Sequence, residues 1–187
     1  MQVLISSIYE SSRLYCTWQH RNSLPLEVKR NFGDLDNFIK QLLSSANESI
    51  TIIVPYLTKE GISLIKESIL LGINNGAWCK IILGNPNDKS GFTKNAIDEL
   101  VSGESGKIIH KRLRILKGSK SLSVLLHSKV IVIDSSKGYL GSANLSYSAI
   151  EVNFEIGVSL SGKQATSLDE LIKYWESTGM LTEIVAN

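Results

Sequence analysis

Cysteine and histidine are scarce in this chain, and what is missing narrows its chemistry. Two cysteines, Cys16 and Cys79, cannot make a disulfide framework or a cysteine metal set. Cys79 lies in an apolar run and reads as a small core residue. There is no CxxC and no HExxH, and the histidines His20, His110 and His127 are not clustered. No catalytic metal and no other cofactor is therefore expected. No run of about 18 apolar residues exists, so no membrane span is expected. The N-terminus lacks a basic start before a long apolar stretch, so no secretory signal is expected and a cytoplasmic location follows. Internal repeats and low-complexity tracts are also absent. The net charge of +2 is close to neutral and favours no partner by itself.

What is present is one dense motif. His127-Ser-Lys129 runs through Val130 to Ile133 to Asp134, and Gly141-Ser142-Ala-Asn144 follows, giving HxK(x)4D(x)6GSxN. Six fixed positions make a chance match somewhere in the chain improbable, on the order of 10⁻⁶ at average residue usage. Val130 to Ile133 is a β-branched run of the kind buried on both faces of a sheet. His127 and Lys129 are two apart, so on a strand both side chains leave the same face. Gly141-Ser142 offers a tight turn where backbone can approach a phosphate closely. An imidazole can serve as a nucleophile. An ammonium and an amide can neutralise charge developing on phosphate oxygens. Together these groups suit attack on a phosphodiester without a metal.

This pattern resembles the phospholipase D superfamily, most strongly over residues 127 to 155. The resemblance implies that His127 is the nucleophile, that Lys129 and Asn144 hold the phosphate, and that Ser142 shapes or binds the pocket. Asp134 and Gly141 would be structural, Asp134 as an ion-pair partner. Family members carry a downstream acid that orients the histidine, and Glu155 in Val152-Asn153-Phe154-Glu155 is placed to supply it. A carboxylate on one ring nitrogen fixes the tautomer and frees the other to attack.

The motif occurs once, and neither His20-Arg21-Asn22 nor His110-Lys111-Arg112 provides a second copy. A single site lacks a second histidine to protonate the leaving group. The resemblance therefore implies the short, one-motif, endonuclease-like branch, whose members pool two half-sites in a symmetric homodimer. A twofold axis brings like residues together.

Charge distribution adds a partner. From Ser105 to Ile133 there is no acidic residue, while Lys107, Lys111, Arg112, Arg114, Lys117, Lys120 and Lys129 all fall there. A strand over about 107–116 would put His110, Arg112 and Arg114 on one face. Such a basic strip, with Lys117 and Lys120, would attract a nucleic acid. The competing reading is a solvated edge strand protected by its charge.

Hydrophobic spacing predicts one domain, with residues 1–33 packing on a catalytic domain over 34–187. Gln2 to Tyr9 reads as a short strand and residues 10 to 33 as loop or irregular helix. Asp34 is a helix N-cap before an apolar face of Leu35, Phe38, Ile39, Leu42 and Leu43, to about Ala46. A strand spans Ser49 to Val54. Thr58 caps a helix to about Leu71, and a strand spans Trp78 to Leu83. A helix covers about 92 to 102. Lys117 to Ser123 reads as a mobile rim loop. Strands follow at about 125 to 133, 138 to 141 and 152 to 160. A last helix, Gln164 to Ser177, turns Leu168, Leu171, Ile172 and Trp175 inward. This order favours an α/β class. The expected fold is a phospholipase D-like sandwich, a mixed β-sheet flanked by helices on both faces.

The function expected is a metal-independent phosphodiesterase, foremost a nuclease cleaving DNA or RNA through a phosphohistidine, with a place in bacterial defence. The alternatives are a phospholipid phosphodiesterase or phosphatidyltransferase, and a non-catalytic nucleic-acid-binding module.

Overall fold

The computed structural model describes residues 12–17, 23–84, 91–119 and 126–184. Gln2–Tyr9, Lys120 and most of the expected rim loop lie outside these residues. The rest form nine strands in one sheet of order β2-β1-β8-β7-β6-β3-β4-β5-β9. In chain order these are β1 Leu14–Cys16, β2 Phe32–Asp34, β3 Ser49–Val54, β4 Trp78–Leu83, β5 Leu113–Gly118, β6 Lys129–Ile133, β7 Lys137–Gly141, β8 Ile156–Ser161 and β9 Leu181–Glu183. The helices are α1 Leu26–Lys29, α2 Leu35–Ser44, α3 Lys59–Asn74, α4 Phe92–Leu100, α5 Gly103–His110 and α6 Lys163–Ser177, with a π-helical turn at Ser148–Val152.

The sheet is mixed. β3, β4 and β5 run parallel through helical crossovers, and β6, β7 and β8 follow as an antiparallel meander. Alternate residues of the central strands feed two cores. Ile50, Ile52, Ile81, Ile131 and Ile133 pack with α2 and α3 on one face. Ile53, Ile82, Val130 and Val132 pack with Ala165 and Ile172 of α6 on the other. This is why these strands are apolar throughout instead of alternating.

Local signals start the two main helices. The Asp34 side chain accepts the Asn37 N–H, and the Thr58 hydroxyl accepts the Gly61 N–H at 3.1 Å. The second helix runs to Asn74, one turn past Leu71, because Gly72 lets the Leu43 carbonyl lie against it.

Three expectations need correction. Residues 10–33 contain two three-residue strands: β1 joins the sheet against β8, and β2 pairs parallel to β1. Ring stacking of Tyr15 on Phe38 at 3.9 Å fixes this edge to α2. The expected strand at 107–116 is helix α5 as far as His110, and β5 begins only at Leu113. Adjacent Ile108 and Ile109 suggested a strand, yet one is exposed and one buried as on a helix. Lys117 and Gly118 belong to β5 rather than to a loop, and Leu171 faces outward from α6.

Candidate active site

The motif lies where the carboxyl ends of β3, β4 and β5 meet the start of β6. Val54 pairs with Leu83, Leu83 with Lys117, and Ile53 with Val130, which sets Lys129 beside Val54. Open α/β sheets bind ligands outside the carboxyl ends of their parallel strands. Lys129 points to the α3 face, as Ile131 and Ile133 do.

His127 is exposed just ahead of β6. Its backbone is located by Gly84, where an added Cβ would lie 1.8 Å from the Leu126 carbonyl oxygen. Only glycine permits that approach. Nζ of Lys129 stands 3.0 Å from Nδ1 of His127 and donates to the His127 carbonyl at 3.0 Å. An ammonium can only donate, so Nδ1 is the acceptor and Nε2 carries the proton of the neutral ring.

The turn after β7 delivers the other groups. Lys129 pairs with Gly141, and Gly141 with Gly157. A Cβ on Gly141 would meet the Tyr139 hydroxyl at 2.2 Å. That hydroxyl accepts the Ala143 N–H at 3.3 Å. Burial pushes the Tyr139 phenol up to about 12, so it stays protonated. Leu57 and Leu145 form a parallel bridge, and Thr58 donates its N–H to the Leu145 carbonyl at 3.3 Å. Gly61 on α3 leaves room for that carbonyl. Asn144 is thereby set against Tyr56, whose hydroxyl accepts from Nδ2 at 3.3 Å. Oδ1 of Asn144 is buried with no hydrogen-bond partner among the described residues. An unsatisfied acceptor of this kind costs about 1–3 kcal/mol and marks sites where function outweighs stability.

Glu155 departs from its expected place. Its carboxylate accepts from the Ser142 hydroxyl in a short hydrogen bond and from Asn153 Nδ2 at 3.3 Å, with no hydrogen bond to His127 of its own chain. Ser142 also accepts the Ile156 N–H at 3.2 Å, so this pair ties the motif turn to β8. Thr17, at the end of β1, donates to the Asn153 carbonyl at 2.8 Å and accepts the Glu155 N–H at 3.4 Å.

Asp134 lies at the far end of β6, roughly 16 Å from Lys129 at about 3.3 Å per residue. It makes no ion pair. Its carboxylate accepts backbone N–H groups of Asn47, Glu48 and Ser49 at 2.8–3.2 Å, tying the start of β3 to the β6–β7 turn. Burial pushes its pKa up, but these bonds outweigh burial and hold it below the usual range.

The basic strip is not assembled. Arg112 donates to the Gly76 carbonyl and lies 5.5 Å from the Trp78 ring centroid, away from the motif end of the sheet. Arg114 faces the α6 side and pairs with Glu176 and Glu183, both at 3.1 Å. Lys117 alone shares the face and row of Lys129, three strand spacings or roughly 14 Å away. Among the described residues no three His, Cys, Asp or Glu side chains stand together as a metal site. The Cys79 thiol is pushed up to about 12 by burial and is inert.

Residues 39–177 match the protein family described as cardiolipin synthase, PLD-like domain. The chain belongs to the phospholipase D superfamily. Its fold is similar to that of the phospholipase D family member Nuc from Salmonella typhimurium, with TM-score 0.67 and 16% identity over 94% of this chain and 99% of that one. NucT from Helicobacter pylori gives 0.57 and 19% over 93% and 99%. Phosphatidylserine synthase of Haemophilus influenzae gives 0.56 and 14% over 81% and 37%. In sequence the chain is 26% identical over 164 residues to the DISARM protein DrmC of Bacillus paralicheniformis, covering 87% of this chain and 64% of that protein. The superfamily member described here thus spans under two thirds of that relative.

Sequence reasoning missed Tyr56, Tyr139, Thr17 and Gly84. Tyr56 had a signal, since it follows Pro55 at the carboxyl end of a buried strand. Thr17 had none.

Proposed function

We propose that this protein is a metal-independent phosphodiesterase, acting as a nuclease on DNA or RNA from a site shared by two copies of the chain. The observation that carries the reading is the Lys129 ammonium held against the His127 imidazole at the carboxyl end of the central strands. A phosphate arriving there draws Lys129 onto its oxygens and frees Nδ1. Nε2 of one His127, once deprotonated, attacks phosphorus. The bond to the leaving oxygen breaks, and that oxygen takes a proton from His127 of the second copy. The same second histidine then deprotonates a water, which attacks phosphorus and releases the first. Acid–base assistance of this kind contributes about 10²–10⁴ in rate. Lys129 and Asn144 hold the non-bridging oxygens, and Ser142 with Glu155 keeps the turn in place.

The second copy is part of the proposal because one chain provides one motif histidine. Leu140, Val152, Phe154 and Ile156 are exposed on β7, β8 and the segment leading into β8, close to Ser142 and Glu155. Apolar side chains grouped beside a site favour burial against a partner. A role in bacterial defence against foreign DNA is supported by the likeness to DISARM protein DrmC. Among the described residues no helix is long and apolar enough to cross a membrane. The family's description keeps phosphatidyl transfer as the second reading.

Incubation with labelled DNA, RNA and a short-chain phospholipid, in EDTA, tests both. Nucleic acid is expected to be cut by the wild type and not by His127→Ala. Cleavage only of lipid would establish the second reading, and dependence on added divalent metal would remove the mechanism.

A further inference from the structure

Two exposed tyrosines stand beside the amide of Asn144. Tyr56 follows β3, and its hydroxyl accepts from Asn144 while the residue stays 37% exposed. Tyr147 begins the π-helical turn three residues after Asn144 and is 52% exposed. The bridge between Leu57 and Leu145 holds their two segments in parallel register. Two rings from separate elements therefore border one phosphate-binding group, with the Lys129 charge on the adjoining strand row.

Aromatic rings at the surface beside cations are how proteins hold unpaired bases, since every base has a face to stack. In a duplex those faces are covered by neighbouring base pairs and only edges are open in the grooves. A ring close to the reacting phosphate thus gains nothing from intact duplex and much from a strand whose bases splay out.

We propose that Tyr56 and Tyr147 form a base-stacking platform on either side of Asn144, and that the substrate is single-stranded nucleic acid. This deepens the nuclease reading and rests on it. Within the platform Tyr56 has two parts: its hydroxyl orients Asn144, and its ring takes a base. Tyr147 takes a base alone.

The test compares kcat/KM on three substrates of equal length: a single-stranded oligonucleotide, its duplex, and a chain of tetrahydrofuran abasic units that keeps the phosphates and lacks bases. The wild type is expected to favour the single strand over both others, by about 5- to 150-fold for each stacked base. Tyr147→Leu should bring the ratio of single strand to abasic chain towards one, through KM. Tyr56→Phe should keep that ratio and lower kcat. Sedimentation should give Tyr147→Leu the same oligomeric state as the wild type. Equal wild-type rates on single strand and abasic chain would overturn the platform, as would a Tyr147→Leu loss that is equal on all three substrates or that accompanies dissociation. No turnover of any substrate would instead overturn the nuclease reading beneath it.

Discussion

Nζ of Lys129 lies 3.0 Å from Nδ1 of His127, so the two groups the motif is built on hold each other before any substrate arrives. The pairing leaves the ammonium poised for a phosphate oxygen and shields the ring nitrogen that is not to react. Lys129→Met should therefore lower kcat by about 10²–10³, the usual cost of losing one charge stabiliser in an active site. The strand start is only half-buried, so the unfolding midpoint should move little. Steady-state kinetics beside a thermal melt checks this. A loss confined to KM would mean that Lys129 binds phosphate equally in ground and transition states.

Thr17 makes a prediction that no inspection of the motif would suggest. Its hydroxyl joins the Asn153 carbonyl and the Glu155 N–H from the interior of the protein. Thr17→Val keeps the volume and leaves both groups without their partner, at about 1–3 kcal/mol. Denaturant melts should register that loss, and kcat should fall because the Glu155–Ser142 pair is no longer held. Unchanged stability would mean that water replaces the hydroxyl.

Much of the central sheet was legible because its strands advertise themselves. Ser49–Val54 and Trp78–Leu83 are β-branched or apolar runs with helix caps nearby, and the structure reproduces both spans. Two kinds of element were hidden. β1 and β2 have three residues each and owe their existence to pairing with β8, which is a tertiary effect with no local period. Helix α5 was read as a strand because Ile108-Ile109 outweighed Ser102 and Glu104, which mark a helix start. The site was legible where one run of chain carries it, at His127, Lys129 and Asn144. Tyr56 and Thr17 reach it from 88 and 138 residues away, through contacts that spacing does not encode.

Asp134 gives the fold an acid sensitivity. Its carboxylate is held below the usual range in the folded state by the N–H groups of Asn47, Glu48 and Ser49. The stability this contributes is complete above the unfolded value, near 3.9, and is lost as pH falls through the lower folded value. Removing the carboxylate should cost about 1–3 kcal/mol at pH 7, so Asp134→Ala is expected to unfold at lower urea than the wild type. The gap between the two should narrow below about pH 4, where the wild-type group begins to protonate. A gap independent of pH would show that the carboxylate charge contributes nothing.

Gly84 ties backbone shape to chemistry. A methyl group there would meet the Leu126 carbonyl 1.8 Å away, one residue before the nucleophile. Gly84→Ala must push that carbonyl aside, which costs about 1–3 kcal/mol or more as overpacking. It should also displace His127. Misplacement of about 1 Å can cost 10²-fold in rate, so kcat should fall further than stability alone explains. Full activity in the folded fraction, measured after correcting for unfolded protein, would show that the segment before β6 has slack.

One motif histidine per chain makes the activity a property of pairs, and mixing tests that. If turnover needs His127 from both copies, a dimer of one wild-type and one His127→Ala chain is inactive. After dissociation and random reassociation, active pairs scale with the square of the wild-type fraction. A tenfold excess of the variant should therefore cut activity per wild-type chain about elevenfold, whereas independent sites would show no change. Dilution points the same way, since specific activity should fall below the concentration at which sedimentation shows dimers separating. Activity per wild-type chain that is indifferent to the variant would sink the shared site. It would leave a single His127 to act as both nucleophile and acid, which its one proton-bearing nitrogen cannot do in the same step.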